Sequence, residues 1–429
     1  MYRFYVSSYA KGKEKGLYVC TLDETKNELH LNKHIPTEDF PSYVIKKDDY
    51  LYVSLKDARV GEGGGVASYH IEEDDLKQLS FYNSHGRSYT HLCLSPDQKY
   101  LFTANYHVGA TAAFPLKDHK IGDKLSVVHH HGSGIDLLKR QTSPHAHYVG
   151  ITPDHKYLYS VDLGADKIVM YEFINEKLQE TSLSQSVIPG SGPRHMIFSH
   201  DGKYCYLVNE ISNSIMVYQY HDGHFTLIQV IHCVPRHFHG FSSAAAIHMT
   251  SSGKHIIVSN RGHDSIVLYR VNQETGKITL LYMVHTGKGP RDFNIIDDRY
   301  IVVASQEEDF LELYTFDATP HLLRHRKTVH HHIRRLTQPF PFNRAVSRFA
   351  AEQHGAIGDR NVSRSQYIPT TVRNIPPDIV QSGIPVLPLA AAQQAHLLLG
   401  LQDNPPNRVD IRYRRFAEKN LCAPIHFFR

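Results

Sequence analysis

HMIFSHDGKYCYLVNEISNSIMVYQYHDGHFTLIQVI, residues 195–231, reads as four short strand-like runs separated by three polar turns. HMIFS, YCYLVN, SIMVYQY and FTLIQVI carry the apolar alternation, while HDGK, EISN and HDGH carry the Asp, Gly and Asn that tight turns favour. One such stretch describes a four-stranded antiparallel meander.

The pattern recurs along the chain. FYVSS at Phe4, YLYVS at Tyr50, YLFTA at Tyr100, YLYSV at Tyr157, YCYLV at Tyr204, HIIVS at His255 and YIVVA at Tyr300 are equivalent runs, spaced by roughly 45 to 57 residues. A β-sandwich has no need of seven similar units, and a β-helix has a shorter period. The expected fold is therefore all-β: a seven-bladed β-propeller of four-stranded antiparallel blades over residues 1–325, with an irregular C-terminal extension over 326–429. The first unit starts at its second strand, FYVSS, so its innermost strand should come from the far end of the chain and remove an open edge.

Composition narrows the partners. The 429 residues include 26 Tyr and 19 Phe but no Trp, and the net charge of +4 is too small and scattered for a nucleic-acid footprint. MYRFYVSSYA has no basic region followed by an apolar one, and no stretch of about 18 apolar residues suggests a membrane span. Five widely spaced cysteines without a CxxC pair argue against a disulfide framework and a zinc knuckle. These readings point to a soluble cytoplasmic protein, a monomer or weak homodimer, acting on a small molecule.

In an antiparallel hairpin the start of one strand lies beside the end of the next, so Arg194 and Glu210 should meet at one rim of the central channel. Equivalent positions in other units hold His145 and His147 with Asp162, Arg291 with Gln306, His91 with Asn105, and the region before His248 with Arg261. The other rim carries ordinary turn residues, Asp97, Asp154 and Asp201. Guanidinium forks beside His and Glu suit an anionic, oxygen-rich ligand and a proton transfer.

SPHAHYVGITPDHKYLYSVDLGADKIVMY (143–171), GPRHMIFSHDGKYCYLVNEISNSIMVY (192–218) and SSGKHIIVSNRGHDSIVLYRVNQETGKITLL (251–281) together resemble the lactonase family of seven-bladed propellers. That family includes the propeller type of 6-phosphogluconolactonase and is similar to cycloisomerases of muconate type. The resemblance covers about residues 1–320 and implies hydrolysis of a sugar lactone such as 6-phospho-D-glucono-1,5-lactone in the pentose phosphate pathway, with no metal or organic cofactor. Its PHxH, GPRH, VNE and SNRGHDS motifs place catalytic roles on His145, His147, Arg194, Glu210 and Arg261. His195, Asn105, Asp162 and Arg291 are candidate substrate contacts, with Arg291 and Lys56 the candidates for a 6-phosphate. AAAIH puts Ala246 where the family often has Glu.

Plainer readings stand beside these. Arg194 and Glu210 would also make a structural ion pair, His195 faces either the channel or the sheet, and Asn105 and Asp162 occupy positions that favour such residues for backbone reasons. The His runs at 129–131 and 330–332 lack a fixed metal-ligand spacing, and GEGGG at 61–65 lacks the strand-to-helix setting of a phosphate loop. A lactonizing cycloisomerase and a non-enzymatic binding scaffold remain the rival functions; the scaffold predicts that the rim charges pair off among themselves.

After residue 325 the character changes: from His330 onward twelve Arg stand against one Lys. HLLRHRKTV still fits an outer strand, but HHIRRLTQPFPFNR offers no closing strand. A basic extension, a small domain around PVLPLAAAQQAHLLLGL, and a frameshifted or fused terminus are the three accounts, and the abrupt Lys-to-Arg switch favours the last.

Overall fold

The computed structural model describes residues 1–8, 14–73, 75–86, 88–136, 138–308, 310–317, 322–329 and 422–427. The strands form seven antiparallel sheets, and no α-helix occurs among the described residues. Blades 2 to 7 run in chain order. Blade 5, for example, is Pro193–Phe198, Tyr204–Asn209, Ser214–His221 and His224–His232, each paired to the next. In blades 3 and 4 the outer strand is split, into Lys120–Ile121 with Ser126–His129 and into Lys177–Glu180 with Gln185–Ser186.

Blade 1 is assembled from both ends of the chain. Cys422–Phe427 pairs antiparallel with Tyr2–Ser8 and is the innermost strand, as the missing first strand of the sequence pattern requires. The closing segment is CAPIHF rather than the stretch after residue 330. Its Pro424 falls in the register irregularity between Val6 and Ser8, where the missing N–H costs no ladder bond. The remaining residues from 330 to 421, including PVLPLAAAQQAHLLLGL and the switch from Lys to Arg, lie outside the described residues.

In blade 5 the second strand is sealed on both faces and the outer strand is not. Cys205–Asn209 are all buried, whereas His224–His232 alternates buried and exposed positions and then runs half-buried. The apolar faces meet between blades, and there are seven such cores. Tyr206, Val208, Ile215 and Val217 of blade 5 pack on Ile256, Val258, Val267 and Tyr269 of blade 6. The ring closes the same way, with Phe4, Val6, Tyr18 and Leu22 of blade 1 on Tyr300, Val302 and Leu313 of blade 7. Every blade is thus held on both sides by hydrophobic burial.

One rim is built from a repeated local turn. The Ser95, Thr152, Ser199 and Thr250 hydroxyl oxygens accept from the backbone N–H of Tyr100, Tyr157, Tyr204 and His255 at 2.9 to 3.1 Å. The first three hydroxyls donate in turn to Asp97, Asp154 and Asp201. Short polar side chains satisfy the turn backbone and leave little for a ligand.

Candidate active site

At the opposite rim the ladder register breaks, and it breaks at the residues that matter. In blade 4 Ala146 pairs Asp162 and Tyr148 pairs Val161, so His147 is the extra residue of a β-bulge. Arg194 is skipped in the same way between Pro193 and His195, and Arg291 between Pro290 and Asp292. A bulge leaves one residue outside the pleat and re-aims its side chain. This is why Arg194 and His195 are neighbours in sequence and yet both buried, with Arg194 Nη1 3.0 Å from His195 Nε2.

The bulged Arg194 meets the end of the next strand. Its Nε lies 3.0 Å from Glu210 Oε2, and Nη1 donates to the Ala245 carbonyl at 2.7 Å. Arg261, at the end of the second strand of blade 6, places Nη2 2.8 Å from the same Oε2 and is fixed by the Ser243 hydroxyl and carbonyl. Arg140 reaches from the connection between blades 3 and 4 to Oε1, and its charge acts on the Tyr106 hydroxyl. One buried carboxylate therefore holds three guanidinium groups.

His147 stands against this cluster. Its ring is 5.3 Å from that of His195 and 5.8 Å from that of Tyr106, and its buried Nδ1 has no hydrogen-bond partner among the described residues. Burial and then Arg194 push its pKa well below the usual 6.5, so the imidazole is neutral at physiological pH. His195 is depressed for the same reasons, with His147, His91 and His248 adding to the repulsion. Burial alone would raise the Glu210 carboxyl, but Arg261, Arg140 and Arg194 hold it well below the usual carboxylate range. Burial, Arg261 and Arg291 lower Arg194 to about 9, a sign of surplus positive charge that a bound anion would relieve.

The other candidates are placed as follows. Arg291 Nη1 donates to Gln306 Oε1 at 3.3 Å, and its charge adds to the field at His147 and Arg261. His145 stacks on Tyr106 with centroids 4.3 Å apart and bonds the Tyr106 carbonyl through Nδ1. Asn105 Oδ1 caps the backbone N–H of Val108. Asp162 uses both oxygens structurally: Oδ1 accepts from the N–H of His145 and Ala165, and Oδ2 lies 2.6 Å from His130 Nδ1, whose other nitrogen contacts Tyr171. It meets His145 through the backbone and not through the imidazole. His130, the middle of the first triple-His run, belongs to that buried network, and His330–His332 lie outside the described residues. Ala246 is buried with its N–H on Ser259 Oγ, and Lys56 ends its strand opposite Phe40. Arg140 was not legible as a site residue, since it lies in a connection without a repeat equivalent, whereas Tyr106, directly after Tyr100–Asn105, holds the position that Glu210 holds after Tyr204–Asn209 and could have been found by aligning the units.

Deeper in the channel Tyr148 stands between His91, 3.8 Å away by ring centroid, and His195, 5.2 Å away. Beyond this stack, toward the turn rim, is a cavity of about 570 Å³ lined by Tyr43, His91, Cys93, Tyr148 and Tyr159. The charged cluster does not line it. Among the described residues no group of three or more His, Cys, Asp or Glu is gathered to hold a metal, and no helix is long and apolar enough to cross a membrane.

A family model described as "Lactonase, 7-bladed beta-propeller" matches residues 3–332. The chain belongs to this lactonase family. It is 38% identical over 312 residues to a protein named 6-phosphogluconolactonase of Bacillus subtilis, covering 71% of this chain and 88% of that protein. Among solved structures it is similar to the periplasmic gluconolactonase PpgL of Pseudomonas aeruginosa, with TM-score 0.71, 30% identity and coverage of 76% and 96%. It is also similar to a putative 6-phosphogluconolactonase of Bacteroides fragilis, with TM-score 0.70, 29% identity and coverage of 76% and 94%. The resemblance carried by PHAH, GPRH, VNE and SNRGHDS thus holds across the lactonase propeller.

Proposed function

We propose that this chain hydrolyses a sugar lactone at the bulged rim, with 6-phospho-D-glucono-1,5-lactone as substrate and the pentose phosphate pathway as its setting. One observation carries the reading: three arginines converge on the single carboxylate of Glu210 beside a neutral imidazole whose Nδ1 is free to accept a proton. Three cationic groups against one anionic group leave a surplus that suits a phosphorylated substrate. The names of the Bacillus, Pseudomonas and Bacteroides relatives support it.

In this reading water attacks the lactone carbonyl while His147 Nδ1 takes its proton. Arg194 and Arg261, fixed by backbone carbonyls, stabilise the charge that develops on the carbonyl oxygen. The bond from the carbonyl carbon to the ring oxygen then breaks, and the ring oxygen takes the proton back from His147, giving the hydroxy acid and the neutral imidazole. Glu210 is the organiser of the arginines and not the base, because all three draw on it. A scaffold in which the charges simply cancel would not leave this excess or an unpartnered buried imidazole nitrogen.

Cys20, Cys93, Cys205 and Cys233 are free thiols, which suits a reducing cytoplasm. Exposed large apolar residues such as Leu31, Val60, Phe241 and Leu280 are scattered, which supports a monomer or a weak homodimer. The experiment is the turnover of 6-phosphogluconolactone and gluconolactone by the native chain. Preference for the phosphorylated lactone is expected, and activity confined to muconate-type acids would overturn the reading.

A further inference from the structure

Of the three arginines on Glu210, one differs in kind. Arg194 and Arg261 are held at side-chain exposures of 3% and 14% and are tied to backbone carbonyls, Arg194 to that of Ala245 in the neighbouring blade and Arg261 to that of Ser243 in its own. Arg140 is 27% exposed, and its guanidinium bonds Glu210 alone among the bonds described for it. The base of its loop is fixed while its side chain reaches out. Buried Gln141 donates to the Leu163 carbonyl and accepts from the N–H of Asp136, and the Asp136 carboxylate accepts from the N–H of Arg140 itself. Arg140 is thus a long arm on a pinned shoulder, spanning from the connection between blades 3 and 4 to blade 5.

Its partner atom is also distinct. Arg194 and Arg261 share Oε2, whereas Arg140 takes Oε1. Moving Arg140 away would leave Glu210 anchored through Oε2 by two fixed arginines and would free Oε1 as an acceptor.

Building on the sugar-lactone reading, we propose that Arg140 is the residue that recognises the substrate's phosphate, leaving Glu210 Oε1 for the phosphodianion and thereby releasing that oxygen to accept a hydroxyl of the bound sugar. A dianion offers a guanidinium a bidentate partner at least as good as one carboxylate oxygen. An arm at the site's edge is placed for the terminal phosphate, while the fixed arginines stay at the carbonyl. No bond is made or broken in the exchange.

The test compares native chain, Arg140→Gln and Arg140→Lys in kcat/KM for 6-phosphogluconolactone and gluconolactone, with calorimetric binding of 6-phosphogluconate and gluconate measured on the same proteins. In Arg140→Gln the preference for the phosphorylated lactone is expected to fall about thirtyfold, mostly through KM, with partial rescue in Arg140→Lys. Binding of 6-phosphogluconate should weaken at least tenfold relative to gluconate. Equal changes for both lactones and both acids would overturn the proposal and leave Arg140 a structural contact. If the native chain hydrolyses neither lactone yet the acid-binding ratio still depends on Arg140, the lactonase reading falls and the phosphate assignment stands.

Discussion

The two rims of the propeller are made by the same hairpins and do opposite things with their polar residues. At the turn rim Ser95, Thr152 and Ser199 and the aspartates two positions on satisfy the backbone of their own turns, with Asp154 also accepting from Tyr220 of the next blade. At the bulged rim Arg194 reaches Ala245, Arg261 and Arg140 reach Glu210, and His147 is left with an open nitrogen, so no blade is complete without its neighbours. Polar residues that satisfy their own turn stabilise the fold. Those that depend on other blades make a site.

Several substitutions would break or sharpen this contrast. The largest effect on stability should come from Asp162→Ala, which sits at the bulged rim yet behaves structurally. It removes the acceptor for buried His130 and for two backbone N–H groups, and a loss of about 3 kcal/mol is expected in chemical denaturation. A neutral result would show that the His130–Tyr171 network finds other partners. His147→Gln should lower kcat/KM about a hundredfold with little change in Tm, because it removes a base that holds nothing else together. Retained turnover would move the base elsewhere. On the turn rim, Asp201→Ala should cost about 1 kcal/mol and leave kcat/KM at the native value. A loss of activity there would erase the distinction between the rims.

The mildest effect concerns pH. His147 and His195 titrate well below 6.5 when folded and near 6.5 when unfolded, so below that value the unfolded chain binds protons that the folded chain refuses. Stability should therefore decline as pH falls through and below 6.5. Glu210 adds a further loss only in more acid solution, as pH passes below the ordinary carboxylate range toward its depressed folded value. Melting curves between pH 8 and about pH 4 check this, and in His147→Gln the decline below 6.5 should be shallower.

Much of this architecture was legible because it repeats. Seven equivalent strands from Phe4 to Tyr300 gave the blade count, and the missing run before Phe4 pointed to a closing strand from the far end. The strand itself was hidden, since Pro424 interrupts CAPIHF where a ladder strand should alternate. Arg194, Glu210 and Arg261 could be aligned from hairpin geometry, but strict alternation gave no face for His195, because it ignores the bulge at Arg194. A signal was present in GPRH, GPRD and FPSY: Pro193, Pro290 and Pro41 each stand just before a skipped residue. Arg140 had no such marker, as it comes from a unique connection and meets Glu210 only in the folded ring.

The central claim is that the bulge-presented arginine acts on the reaction and not merely on the rim. It is tested by measuring kcat/KM for 6-phosphogluconolactone, together with Tm, in the native chain and in Arg194→Ala. The account expects turnover to fall at least a hundredfold while the melting transition stays cooperative and the seven blades remain assembled. Native turnover in a folded Arg194→Ala protein would contradict it.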